Sequence, residues 1–75
     1  MNPDIIIHER GPQGRNILVI EVKKSSNQES ETLDRNKLII FTQEPLNYDF
    51  GLFLKIDIEN NNDIIDWYYN GTQII

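Results

Sequence analysis

The chain has 75 residues, seven Lys or Arg against twelve Asp or Glu, a net charge of −5 and no cysteine. That length holds one small domain over residues 1–75, near the size at which a single core is marginal. The lack of cysteine excludes disulfides and thiolate metal sites and fits a reducing, cytoplasmic setting. No apolar run reaches the ~18 residues of a membrane span, and no membrane partner is expected. The acidic balance argues against a surface that binds nucleic acid over its whole extent, while leaving room for a local basic patch.

Pro3-Asp4 leads into Ile5-Ile6-Ile7, and Ile17-Leu18-Val19-Ile20 leads into Glu21-Val22-Lys23. Both runs are short and rich in β-branched residues. Arg10-Gly11-Pro12-Gln13-Gly14-Arg15 between them has the composition of a turn, so a β-hairpin is expected. A turn centred between Pro12 and Gln13 sets Glu9 opposite Asn16 and Asp4 opposite Glu21. Opposed residues share a face with Cβ atoms ~4.5–5.5 Å apart. Side chains two apart along a strand point the same way, so Lys23 joins the two acids. A slip of one residue would send Glu21 to the other face.

Two opposed carboxylates repel unless a cation lies between them. Magnesium suits such a site, because it takes one or two protein carboxylates and completes its shell with waters and phosphate oxygens. The backbone carbonyl of Val22 is a natural further ligand. A cation there activates a water and polarises a phosphodiester, while Lys23 orients the water or stabilises developing charge. The competing reading is a sheet end with solvated charges, since a Glu-x-Lys triplet is common by chance. His8 shares a face with Asp4 in the alternation, but four residues of strand span about 13 Å, too far to ligate the same ion.

Further along, Ser25-Ser26-Asn27 breaks the strand pattern, and Ser26 with Glu29 has the spacing of a capping box, so a helix is expected. Leu33, Lys37, Ile40 and Phe41 fall on one face at helical spacing and are expected to pack on the sheet, with Glu31 and Arg35 paired at i,i+4. The Lys37 stem is expected to cover apolar surface while its ammonium reaches out to water. Pro45 closes any helix.

Tyr48 to Ile58 alternates as a strand, with Phe50, Leu52 and Leu54 on one face and Phe53 with Lys55 on the other. Glu59 to Asp63 reads as a turn, and Ile64 to Tyr69 as a returning strand, with a helix as the alternative. Asn70-Gly71 is a type I′ hairpin signal that adds a short edge strand over Thr72 to Ile75. Asp57, Asp63 and Asp66 read as solvated loop charge. Trp67, Tyr68 and Tyr69 read as strand or partner contacts ahead of base-stacking platforms. The expected fold is α+β, a mixed sheet in the order β-β-α-β-β with the helix packed on one face. Positive charge concentrates in the first half, which makes Arg10, Arg15, Lys24 and Arg35 the candidate phosphate contacts.

The stretches Pro3 to His8 and Asn16 to Lys24 resemble the core of the PD-(D/E)XK nuclease superfamily, which includes restriction endonucleases and Holliday-junction resolvases. Asp34-Arg35-Asn36-Lys37-Leu38 and Tyr48-Asp49-Phe50-Gly51-Leu52-Phe53-Leu54 are similar to segments of uncharacterised bacterial members. The resemblance implies a restriction-endonuclease-like core that hydrolyses DNA phosphodiesters with Mg2+ or Mn2+. It also implies Asp4 and Glu21 as metal ligands and Lys23 as the lysine that assists the water. Many members carry a further acid on a helix before the Pro-Asp strand. The chain is therefore expected to be a fragment or a shortened relative, whose uncovered sheet favours a homodimer or awaits the missing segment. A non-catalytic, self-associating module is the alternative to an active nuclease.

Overall fold

A computed structural model describes residues 4–11, 13–25 and 30–75. Its elements are β1 (Ile5–His8), β2 (Asn16–Lys24), α1 (Glu31–Phe41), β3 (Phe50–Ile56), β4 (Ile64–Tyr69) and β5 (Thr72–Gln73). The strands form one mixed sheet in the order β1-β2-β3-β4-β5. Only β2 and β3 run parallel, and α1 connects them, as a parallel pair requires. The α+β class and the β-β-α-β-β order match the expectation, and Ile64 to Tyr69 is a strand.

The hairpin takes the expected register over most of its length: Ile5 pairs with Ile20, Ile6 with Val19 and Ile7 with Leu18. Beyond Ile7 the register shifts, and Asn16 stands opposite His8 where the sequence placed Glu9. The Glu9 N–H instead donates to the Arg15 carbonyl at 2.8 Å, which closes the loop. An irregularity of this kind re-aims the strand end without moving the residues behind it. The Asp4 end therefore keeps its alignment.

The capping box expected at Ser26 and Glu29 lies outside the described residues. The cap that forms is Ser30, whose hydroxyl accepts the Thr32 N–H at 3.1 Å. At the other end the Thr42 hydroxyl donates to the Leu38 carbonyl at 2.8 Å and accepts the Gly71 N–H at 2.9 Å, tying the β4–β5 turn to the helix terminus. Asn70 and Gly71 both have positive φ, 49° and 79°, as a type I′ turn demands. The Ile74 N–H donates to the Trp67 carbonyl, and the Trp67 N–H donates to the Ile75 carbonyl, so the edge ladder continues past β5.

The helix is rotated from its expected setting. Phe41 is buried as expected, but Leu33 is 64 % exposed and Ile40 is also exposed, whereas Leu38 is buried and Asp34 and Arg35 are half-buried. The reason lies in the strand residues beneath it. Glu21, Lys23, Lys55 and Asp66 all rise from the covered face, so the first two turns present charged partners and only the last turn is apolar. Around that turn sits the core of Val19, Leu38, Phe41, Tyr48, Phe53 and Tyr68. Gly51 lets the helix come close: a Cβ there would lie 3.2 Å from Leu38 Cδ2 and 3.3 Å from Thr42 Cγ2. Among the described residues no helix is long and apolar enough to cross a membrane.

Candidate functional site

Asp4 sits one residue before β1, so the antiparallel register carries it beside Glu21. Its Oδ2 accepts the Val22 N–H at 2.7 Å, which fixes the carboxylate against the end of β2. In a strand the N–H and C=O of one residue point to the same side. The Val22 carbonyl therefore faces the edge on which Asp4 lies.

Glu21 is 1 % exposed and Lys23 4 % exposed, both under α1. Helix residues hold each of them. The Lys23 ammonium donates to Asp34 Oδ2 at 3.3 Å. The Lys37 ammonium stands 3.5 Å from Glu21 Oε1, at ion-pair distance, yet that buried oxygen accepts no hydrogen bond. Burial pushes the Glu21 carboxyl up to about 7. The neighbouring Asp4 charge and a hydrogen bond to Asp4 push the same way, Lys37 opposes them, and Asp34 adds a smaller upward push.

Lys37 thus reaches the acid, where the sequence pointed its head toward water. Asp34, with no role assigned from the sequence, grips Lys23. The signal available in advance was the run of charges Glu31, Asp34 and Arg35 at i, i+3 and i+4 on one helix face. Its partners are strand residues remote in sequence, so the face could not be chosen from spacing alone.

A second charged cluster lies beside the first. Arg35 donates to Asp66 Oδ2 at 2.8 Å, to the Tyr68 hydroxyl at 2.9 Å and to Glu31 at 3.4 Å, and its guanidinium carbon lies 4.3 Å from the Phe53 ring centroid. Burial disfavours the Arg35 charge, but the hydrogen bonds to Tyr68 and Asp66 outweigh it and hold the group protonated. Lys55 donates to Glu31 at 2.8 Å, and that bond holds the Glu31 carboxyl below its ordinary range. Asp66 is therefore an internal ion-pair partner on β4, not the solvated loop charge expected, because its row across the sheet runs through Phe53 to Glu21.

The candidate phosphate contacts do not gather on one surface. Arg10 is exposed in the hairpin loop, and Arg15 near it pairs with Asp49. Both lie at the opposite end of the hairpin from Asp4. Lys24 is exposed and alternates onto the face away from the helix. Arg35 is occupied internally, as described. His8 is exposed beside the same loop, with Nδ1 3.2 Å from the Glu9 carbonyl.

Among the described residues no three His, Asp or Glu side chains cluster closely enough to cage a metal ion by themselves. The donor set is two carboxylates, Asp4 and Glu21, with the Val22 carbonyl on the same edge. Such a set fits a cation that keeps most of its shell for water and phosphate oxygens, the habit of magnesium. Glu21 Oε1 fits it as well: Lys37 stands at ion-pair distance, but among the described residues no group donates a hydrogen bond to this buried oxygen.

No protein-family model matches the chain, and no curated protein or solved structure matches it.

Proposed function

We propose that this chain is a magnesium- or manganese-dependent nuclease with a PD-(D/E)XK-like, restriction-endonuclease-like core, acting on DNA phosphodiester bonds. The observation that carries the reading is the acid pair, in which the exposed Asp4 stands beside the buried Glu21. Glu21 lies under the helix beside Asp4, with one oxygen that accepts no hydrogen bond from the described residues, and Lys23 follows two residues later on the same face. A fold gains no stability from burying one carboxylate beside a second, and such placement is characteristic of sites that use them. The connection of the acid-bearing hairpin through α1 to a parallel β3 supports the same reading.

Asp4 and Glu21 would hold the cation, with the Val22 carbonyl as a neutral third donor. A bound divalent cation supplies Lewis-acid polarisation of the phosphodiester and stabilises charge on the leaving oxygen. Lys23, on the same face as the acids, would orient the attacking water or stabilise developing negative charge, with Asp34 accepting from its ammonium. Lys37 offsets part of the charge on the acid pair.

Calorimetric titration of Mg2+ and Mn2+ into the wild type and Glu21→Gln, followed by cleavage of supercoiled and linear DNA, tests the reading. Metal binding and cleavage that both vanish in Glu21→Gln are expected. A wild type that binds neither cation and leaves DNA intact removes the proposal.

A further inference from the structure

We infer that the open face of the sheet is the interface of a two-fold homodimer in which two copies pack sheet against sheet. This inference is independent of the nuclease reading, because it concerns the face opposite the acid pair.

Alternate residues place Ile5 and Ile7 of β1, three aliphatic residues of β2, four apolar residues of β3 and Ile65, Trp67 and Tyr69 of β4 on the side that α1 does not cover. That layer holds more large apolar side chains than the helix-side core, whose buried cluster has six members. A single copy thus leaves its larger apolar layer in water. In a domain this small, oligomerisation is one of the few ways to supply the missing core.

Three features point to a second copy as the occupant. The first is charge. The chain carries −5 overall, yet among the described strand residues none on this face is acidic, and its one cation, Lys24, ends β2. Two such faces meet without opposing like charges at their centre. The second is composition. Phe50 lies edge-on to Trp67, with centroids 6.4 Å apart at 86°, and 5.7 Å from Tyr69. An aromatic cluster on the inner strands β3 and β4 is the kind of central anchor that dominates interfaces. The third is area. Five strands ~4.8 Å apart, several residues long at ~3.3 Å each, make a face of roughly 24 by 20 Å. Ile5, Val22, Phe50, Ile65 and Tyr69 are still 37 % to 56 % exposed upon it. In projection the face covers roughly 480 Å², below the ~800 Å² per partner of a standard-size interface and in the range of weaker contacts, in keeping with a dimer that dissociates on dilution. Two twisted sheets pack about 10 Å apart with strands near −30°, and the two-fold makes the contact self-complementary.

Sedimentation velocity of the chain from ~1 to ~100 µM reads the association directly. A dimer that dissociates on dilution is expected, and Ile65→Glu and Tyr69→Glu each shift it to monomer while the circular dichroism spectrum stays unchanged. A wild type that is monomeric throughout the range overturns the inference, as does a dimer that survives in both folded variants. Should the glutamates unfold the chain, the absence of native cysteine allows a nitroxide at Ile65→Cys and, as a control, at Asn36→Cys on the outer surface of α1. Immobilisation and dipolar coupling between copies at position 65 but not at 36 supports the dimer. Equal mobility at both positions overturns it.

Discussion

On the covered face of the sheet the rows across β2, β3 and β4 read Glu21, Phe53, Asp66 and then Lys23, Lys55, Ile64; on the open face they read Ile20, Leu52, Trp67 and then Val22, Leu54, Ile65. Hydrophobic burial alone would lay the helix on the second face. It lies on the first, where ion pairs replace much of the apolar contact and roughly break even against the cost of desolvating them. A parallel β-α-β crossover is right-handed in nearly all proteins. Once β3 pairs on the far side of β2 from β1, that handedness leaves α1 one side to occupy. Glu21 and Lys23 of β2 are thereby enclosed, and the apolar side of the same strands is left uncovered. The covered face is thus charged and enclosed, and the open face apolar.

The largest effect that would break this contrast is catalytic. Asp4→Ala, Glu21→Ala and Lys23→Ala are each expected to lower metal-dependent cleavage by at least ~10³-fold, about 4 kcal/mol of transition-state stabilisation, with the fold retained. Retained cleavage in Glu21→Ala would return the cluster to a purely structural role.

Next come the supports of the covered face. Phe53→Ala removes the fully buried ring under Arg35 and is expected to cost about 3–5 kcal/mol in urea unfolding. Arg35→Met is expected to cost about 3 kcal/mol, because Asp66 and Glu31 lose the guanidinium they face. Adding Asp66→Leu to it should recover a large part of that loss. Failure to recover would mean that Arg35 acts mainly through packing on Phe53.

The acid pair makes a pH prediction whose sign is fixed. The folded Glu21 carboxyl sits near 7, above its ordinary 4.5, so the protonated form is the one the fold favours. Its contribution is fully present below about pH 4.5 and is lost as pH rises through about 7. Glu21→Gln cannot ionise. Without divalent metal it should match the wild type near pH 4 and exceed it by up to about 3 kcal/mol near pH 8. Thermal melts across that range check it, and a difference that shrinks toward high pH would contradict the burial of this group. The smallest effect belongs to the surface: Arg15→Ala breaks an exposed ion pair with Asp49 and should change stability by less than ~1 kcal/mol.

Much of the scaffold was legible in the chain. The Ile-rich runs, the loop at Arg10 to Arg15 and the Asn70-Gly71 turn specify strands and hairpins through local preferences that need no tertiary partner. The same is true of the pairing of Asp4 with Glu21, because antiparallel register propagates along a hairpin from its turn. The helix was legible in existence, but neither its cap at Ser30 nor its rotation was read from the chain. Leu33 and Ile40 satisfy helical spacing with Phe41 as well as Leu38 does, and periodicity alone does not weigh the charges waiting on the strands below.

Sequence by itself therefore determined the order of elements, the alternation that sorts each strand into two chemically opposite faces, and the alignment of Asp4, Glu21 and Lys23 on one of them. Tertiary structure alone decided which face the helix covers, and so which charges meet. Lys23 with Asp34, Lys37 with Glu21 and Arg35 with Asp66 are pairs between elements. Each depends on the parallel docking of β3 and the rotation of α1, and burial by the helix raises the proton affinity of Glu21. The physical reason is range: alternation and turn preference act within a few residues, whereas desolvation and ion pairing depend on whatever the fold brings alongside.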